Sequence, residues 1–230
     1  LTLGVHIGAR TTSIVATDLF GRTLDVVETP TPRGAQSAAL AAIAGSARRY
    51  LSRWHRRRPL WVGVAAGGVV DSTTGYLDHP RLGWSDAPVG PVLAEALGLP
   101  VSLASHVDAM AGAELLLGVR RQPTRSATSL YVYARETVGY ALSIGGQVHS
   151  PTSGPGTIAR LPAHSDLLGG TGELESTVSD EAVLVAARKA RIIPADGPTS
   201  TMTAVLRAAR QGNDKAVALV APGAAAHRGA

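Results

Sequence analysis

Between Val62 and Gly118 the chain alternates short apolar runs with longer amphipathic ones, each closed by glycine or proline. Residues 60–65 read as a buried strand that runs into a Gly67-Gly68 turn. Residues 88–97 read as a helix stopped by Gly98. Residues 101–103 make a short strand, and residues 106–117 a helix that ends at Gly118. Strands and helices in this alternation belong to an α/β layout.

The flanks extend that layout. Residues 3–7, 12–17 and 23–27 are strand-like, with a turn at Gly21 between the last two. Residues 35–54 carry apolar side chains at helical spacing. Residues 120–126 are polar, contain Pro123 and read as a linker. After them, residues 129–133, 138–144 and 147–148 suggest a meander with a Gly145-Gly146 hairpin turn. Residues 152–172 look loop-rich, and helices are expected over 180–190, 201–211 and 213–220. The strand-rich starts at Leu3 and Ser129 fit a duplicated lobe. Two lobes are therefore expected, residues 1–118 and 119–230, with a hinge near 119–127.

Composition limits the chemistry. The chain has no cysteine, which excludes disulfides and thiolate metal ligands. Aromatic residues make up only 4%, so the core must come from Ala, Val, Leu and Ile. No apolar run approaches the ~20 residues that span a bilayer, and no signal peptide is visible. A cytoplasmic location without a membrane partner is expected. The net charge is +5, and Arg48, Arg49, Arg53, Arg56, Arg57 and Arg58 hold much of the excess. Such a run suits DNA phosphates or an acidic partner. It also suits a solvated helix C-terminus, where cations complement the dipole. The second reading is preferred, because the run follows an Ala-rich helical pattern and stops at Pro59.

The residues able to carry chemistry fall in a few strings. They are Val5-His6-Ile7-Gly8-Ala9-Arg10-Thr11, His79-Pro80-Arg81-Leu82-Gly83-Trp84 and Ala104-Ser105-His106-Val107-Asp108. Further on come Gly156-Thr157-Ile158-Ala159-Arg160 and the stretch from Asp166 to Glu175. Together they resemble the ROK family, which groups repressors, open reading frames and sugar kinases. The resemblance covers almost all of the chain. It implies a two-lobed, actin-like (sugar kinase or hexokinase type) fold, here C-terminally incomplete or diverged.

Compared with that family, the scaffold persists and the chemistry does not. The family's phosphate loop, V-D-I-G-G-T-K, keeps Gly8, but its acid becomes His6, its second glycine Ala9 and its threonine Arg10. Glycines there let backbone approach phosphate, and the acid positions Mg²⁺. The family helix E-N-D-A-N-A-A-A-L-A-E carries the general base as its Asp, and His106 stands there instead. Glu114, eight residues on, fixes that register. Asp108 lies two residues further along, a rotation of about 200° on a helix, so it does not take over. A sugar hydroxyl must lose its proton during phosphoryl transfer, which is what the missing carboxylate would accept.

The sugar pocket is altered in the same way. The family's S-P-N-L-G-W places Arg81 at a sugar-binding Asn, and Ser105 takes the place of the pocket Asn. The family's G-E-I-G-H becomes a segment with Thr157 and Arg160 at its Glu and His. Of these sugar contacts only the Glu matching Glu175 survives, and it could instead cap a helix. The zinc element C-x-C-G-x-x-G-C-L-E has lost all its cysteines. Asp166, Glu173 and His164 could offer oxygen and imidazole ligands, but no structural zinc and no other cofactor is expected.

The resemblance therefore implies a pseudo-kinase: a ligand-sensing and oligomerisation domain of a transcriptional regulator. The candidate ligand-binding residues are Arg81, Ser105, His106, Thr157, Arg160 and Glu175, beside a degenerate phosphate loop. The implied partners are a second copy or three more, an anionic sugar-derived effector, and DNA reached through a domain upstream of Leu1. The alternative is an ATP-dependent ROK sugar kinase with an atypical active site.

Overall fold

Leu3, Val5 and Ile7 alternate with less buried neighbours, the pattern of a strand with one face against a core. In the computed structural model, which describes residues 1–118, 128–135, 137–149, 155–165, 170–197 and 199–220 (155–157 by backbone alone), this is strand β1, Thr2–Ile7. It pairs antiparallel with β2, Thr11–Thr17, which pairs antiparallel with β3, Thr23–Pro30. On its other side β1 runs parallel to β4, Val62–Ala66, and β4 runs parallel to β8, Val101–Ser105. The sheet order is β3-β2-β1-β4-β8.

Helix α1, Gln36–Ser52, buries Ala39, Leu40, Ile43, Ala44, Ala47 and Tyr50. These recur every three or four residues and share a core with Leu3, Val5, Ile7, Val62 and Val64. The alanines let helix and sheet approach closely, and each fully buried Ile or Leu stabilises the fold by about 1.5–3 kcal/mol. Helix α2, Val89–Leu97, adds Val89, Leu93 and Leu97 to the same core. It ends at Gly98, whose φ of +62° is a left-handed cap. Helix α3, His106–Leu117, follows β8 without a loop.

The segment after the Gly67-Gly68 turn is not a plain loop. It forms an antiparallel meander, β5 (Val69–Asp71), β6 (Tyr76–His79) and β7 (Trp84–Ala87), with a 3-10 turn at Pro80–Leu82. Gly68 has φ +94°, and a Cβ there would collide with the Asp78 carbonyl oxygen. This glycine lets β5 turn back against β6.

Beyond α3 lie β9 (Thr128–Ala134), β10 (Val138–Ile144) and β11 (Gln147–His149), in the order β11-β10-β9. The sequence reading of residues 152–172 as loop needs correcting. A 3-10 helix at Pro155–Arg160 and a hairpin of β12 (Pro162–Ser165) with β13 (Gly170–Glu173) occupy its described part. Helices α4 (Leu174–Val178), α5 (Asp180–Lys189), α6 (Met202–Arg210) and α7 (Asp214–Val220) follow. Ser179 and Thr201 cap α5 and α6 by accepting backbone N–H bonds. Val183, Leu184, Ala187, Ile193, Val205 and Leu219 form this region's core.

The chain divides into two compact units. One comprises Leu1–Tyr131 with Ala141–Pro155, the other Val132–Tyr140 with Gly156–Ala230. The linker expected at 120–126 and the hinge expected at 119–127 lie outside the described residues.

Candidate functional site

The ends of β1, β4 and β8 place three motif strings side by side in the first unit. β1 ends in His6-Ile7, β4 in Ala65-Ala66, and β8 in Ala104-Ser105, and the pairing runs Ile7 to Ala66 to Ser105. The strings around His6 and around His106, nearly 100 residues apart in sequence, therefore lie at the same end of the sheet.

His106 is the first residue of α3, and its Nδ1 lies 3.4 Å from the Ala66 carbonyl oxygen. Its ring stands edge-on to that of His6, with centroids 6.3 Å apart. His79, at the end of β6, is 4% exposed, and its Nδ1 is buried without a hydrogen-bond partner among the described residues. Gly67 runs between these rings: a Cβ on it would sit 3.4 Å from His79 Nε2 and 3.6 Å from His106 Nδ1. Burial holds His79 below the usual imidazole pKa, and the nearby Arg81 cation, with His106 and His6 whenever they are protonated, acts in the same direction.

Sequence reasoning singled out His6 and His106 but not His79. Its only signal was its place at the head of the His79-Pro80-Arg81 string. Arg81, in the 3-10 turn that follows, is exposed.

The carboxylate nearest in sequence to His106 has one oxygen, Oδ2, engaged by Ser105, while its Oδ1 is buried without a hydrogen-bond partner among the described residues. Ser105 caps α3: its hydroxyl oxygen accepts the Asp108 backbone N–H at 3.1 Å, and its O–H donates to Asp108 Oδ2 at 2.5 Å. Ser105 is 2% exposed, so its side chain belongs to this cap.

The Gly8–Arg10 turn between β1 and β2 is held by hydrogen bonds. The Gly8 N–H donates to the Thr11 carbonyl at 3.0 Å. The Gly8 carbonyl accepts from the Thr31 hydroxyl at 2.7 Å, and the Ala9 carbonyl from the Arg33 guanidinium at 3.3 Å. The Arg10 carbonyl accepts the Thr31 N–H at 2.9 Å. A Cβ on Gly8 would lie 2.8 Å from the Thr11 oxygen, so glycine serves the tight turn between β1 and β2. Ala9 is half-buried and Arg10 exposed.

In the second unit, Glu175 lies in α4, and its Oε2 accepts the backbone N–H of Val138 at 2.9 Å. This carboxylate thus ties a short helix to the start of β10. Arg160 is exposed at the end of its 3-10 helix, and Thr157 lies in the same helix. His164 Nδ1 is 2.7 Å from Thr171 Oγ1 across the β12–β13 hairpin, and Glu173 ends β13. Asp166 lies outside the described residues. Among those described, no group of three or more His, Asp or Glu is placed to hold a metal ion. None of the described helices is long and apolar enough to cross a membrane.

Known proteins share both sequence and architecture. The ROK family model matches residues 2–226, and the chain belongs to the ROK family. It is 71% identical, over 228 residues and 96% of its length, to proteins named transcriptional regulator in Mycobacterium tuberculosis (Rv0485) and Mycobacterium bovis (Mb0495). It spans about half, 52%, of the length of those relatives.

Among solved structures, a ROK family transcriptional regulator, a homolog of the E. coli MLC protein, superposes with a TM-score of 0.77 at 20% identity, over 96% of this chain and 58% of that one. A ROK family glucokinase from Streptomyces griseus, in complex with glucose and AMPPNP, gives 0.78 at 23% identity, over 95% and 74%. At these identities the likeness establishes the fold, the actin-like α/β fold common to ROK sugar kinases and regulators.

Proposed function

We propose that this chain is the ligand-sensing and oligomerisation domain of a ROK-type transcriptional regulator, without sugar kinase activity. The observation that carries the reading is His106. An imidazole occupies the general-base position of the family at the start of α3, and the carboxylate two residues on, Asp108, is held by Ser105. A ROK kinase deprotonates a sugar hydroxyl through a carboxylate, and an imidazole at residue 106 is not one. The relatives named transcriptional regulators support the same reading.

The effector fits best as an anionic, sugar-derived molecule. His6, His106 and Arg81 replace an acid, an acid and an amide, so these three positions of the first unit are now basic. DNA recognition is assigned to a segment upstream of Leu1, because no recognition-helix signature occurs in residues 1–230. The working form is a homodimer or homotetramer in the cytoplasm.

Two measurements on the full-length protein test this. A coupled assay with Mg²⁺-ATP and glucose, mannose, N-acetylglucosamine or N-acetylmannosamine should show no turnover. Footprinting on its own promoter region should show a protected site whose occupancy responds to sugar phosphates. Turnover that disappears in His106→Ala would overturn the reading.

A further inference from the structure

The arginine-rich run at the end of α1 and just beyond it remains unassigned by the site above. Arg48, Arg49, Arg53, Arg56, Arg57 and Arg58 are all exposed, and no carboxylate lies among residues 48–58. Without these six, 16 basic side chains face 17 acidic ones, so this one segment carries the chain's entire positive excess.

The helix-end explanation preferred from sequence accounts for only part of the run, since Arg49 lies in the last turn of α1 and Arg53 at its end. The last carbonyls of α1 are satisfied by other groups. Ser52 Oγ donates to the Arg49 carbonyl at 2.8 Å, and the Trp54 N–H to the Leu51 carbonyl at 2.8 Å. The Arg53 backbone N–H reaches the Tyr50 carbonyl at 3.1 Å, and His55 Nδ1 lies 2.8 Å from the Ser52 carbonyl. No guanidinium serves as a cap there. The dipole effect fades within the last turn, and Arg56, Arg57 and Arg58 lie beyond it in a 3-10 turn, His55–Arg57, and its cap.

Two of the guanidiniums are held in place. Arg53 lies 5.6 Å from the Tyr50 ring centre and 3.5 Å from Asp25, and Arg57 lies 5.7 Å from the Trp54 ring centre. The side chains of Arg48, Arg56 and Arg58 have no acidic or hydrogen-bonding partner among the described residues. Arg58 also takes a left-handed backbone, φ 44°, where glycine or asparagine would be less strained.

We infer that this face binds the phosphate backbone of duplex DNA, independently of sequence and in addition to the element that reads the operator. The choice of DNA as the polyanion rests on the regulator reading. Residues 48–58 extend over about 15 Å at helical rise. A duplex presents one negative charge per ~1.7 Å of axis over such a span, whereas a single small anion engages only one or two guanidiniums. A lipid surface fits less well. The apolar face of α1 is buried in the core, leaving no amphipathic helix to insert. Leu60 and Trp61, exposed beside the patch, are tied to β1 by main-chain bonds to Leu1 and Leu3, and the Trp61 indole N–H donates to Ser102 Oγ at 2.9 Å.

The test is the salt dependence of binding by the full-length protein to a non-operator duplex. It compares wild type with the triple variant Arg48→Gln, Arg56→Gln, Arg58→Gln and with the charge-keeping Lys triple. Each phosphate left without its arginine should flatten the slope of log affinity against log salt by about 0.9, so the slope of the Gln triple should fall by about 2–3. The Lys triple should retain the wild-type slope, and comparable thermal midpoints would exclude misfolding. A Gln triple with an unchanged slope overturns the inference. So does loss of binding to anionic phosphatidylserine vesicles while the DNA slope stays the same. Kinase turnover together with an arginine-dependent slope would overturn the regulator reading and leave this one standing.

Discussion

The Ser105 hydroxyl donates to Asp108 Oδ2 at 2.5 Å while accepting the Asp108 backbone N–H at 3.1 Å. One serine thus caps α3 and holds one oxygen of the carboxylate closest in sequence to His106. The same pair gives Asp108 a structural role. It sits in the first turn, where a negative charge complements the positive end of the helix dipole.

Ser105→Ala is expected to lower stability by about 1–2 kcal/mol, since a buried cap is removed and Asp108 is deprived of a donor. Urea unfolding of both proteins measures it. A difference below about 0.3 kcal/mol would show that the cap is energetically idle.

Glu175→Ala should destabilise by about 1–3 kcal/mol, because the Val138 N–H, at the start of a buried strand segment, is left without its acceptor. Glu175→Gln keeps an acceptor oxygen and should recover most of that stability. If Glu175 instead binds a sugar, Glu175→Ala would leave the unfolding midpoint in place and abolish ligand-induced stabilisation.

His79 sets a pH dependence. Its folded pKa is depressed, mainly by burial, below the ordinary value of 6.5, so the unfolded state binds the proton more readily. Its contribution to stability is therefore complete above about pH 6.5 and declines as pH falls from there toward the folded value. Unfolding free energy should fall as pH drops below about 6.5, and His79→Gln should flatten that part of the profile. An identical profile in the variant would remove His79 as the cause.

Gly68→Ala should be among the most damaging single changes in the first unit, costing about 3 kcal/mol or more. It combines a left-handed backbone with a collision against the Asp78 carbonyl. Gly83→Ala, also at positive φ but with open space around its Cβ position, should cost only about 1 kcal/mol. Thermal unfolding of the pair separates backbone strain from steric collision.

Much of this protein was legible as local pattern. The alternation in Thr2–Ile7 and Thr11–Thr17, the helical spacing of Leu40, Ile43 and Ala47, and the stop at Gly98 each report a preference held within a few residues. The identities of His6, Ala9, Arg10 and His106 at motif positions were equally plain, because a residue type can be read without coordinates. The strands β5, β6, β7, β12 and β13 were not legible. Each has three or four residues, too few for a periodic signal, and exists only through pairing with its neighbour. The assembly of His6, Gly67, His79 and His106 was likewise invisible, since four separate segments meet there only once β1, β4 and β8 pair and the meander folds back. Sequence determined which side chains this chain has at each motif. Tertiary structure alone decided that Ser105 is a cap, that Glu175 is a backbone tether and that His79 is buried, because hydrogen bonds and desolvation depend on what the rest of the chain brings alongside.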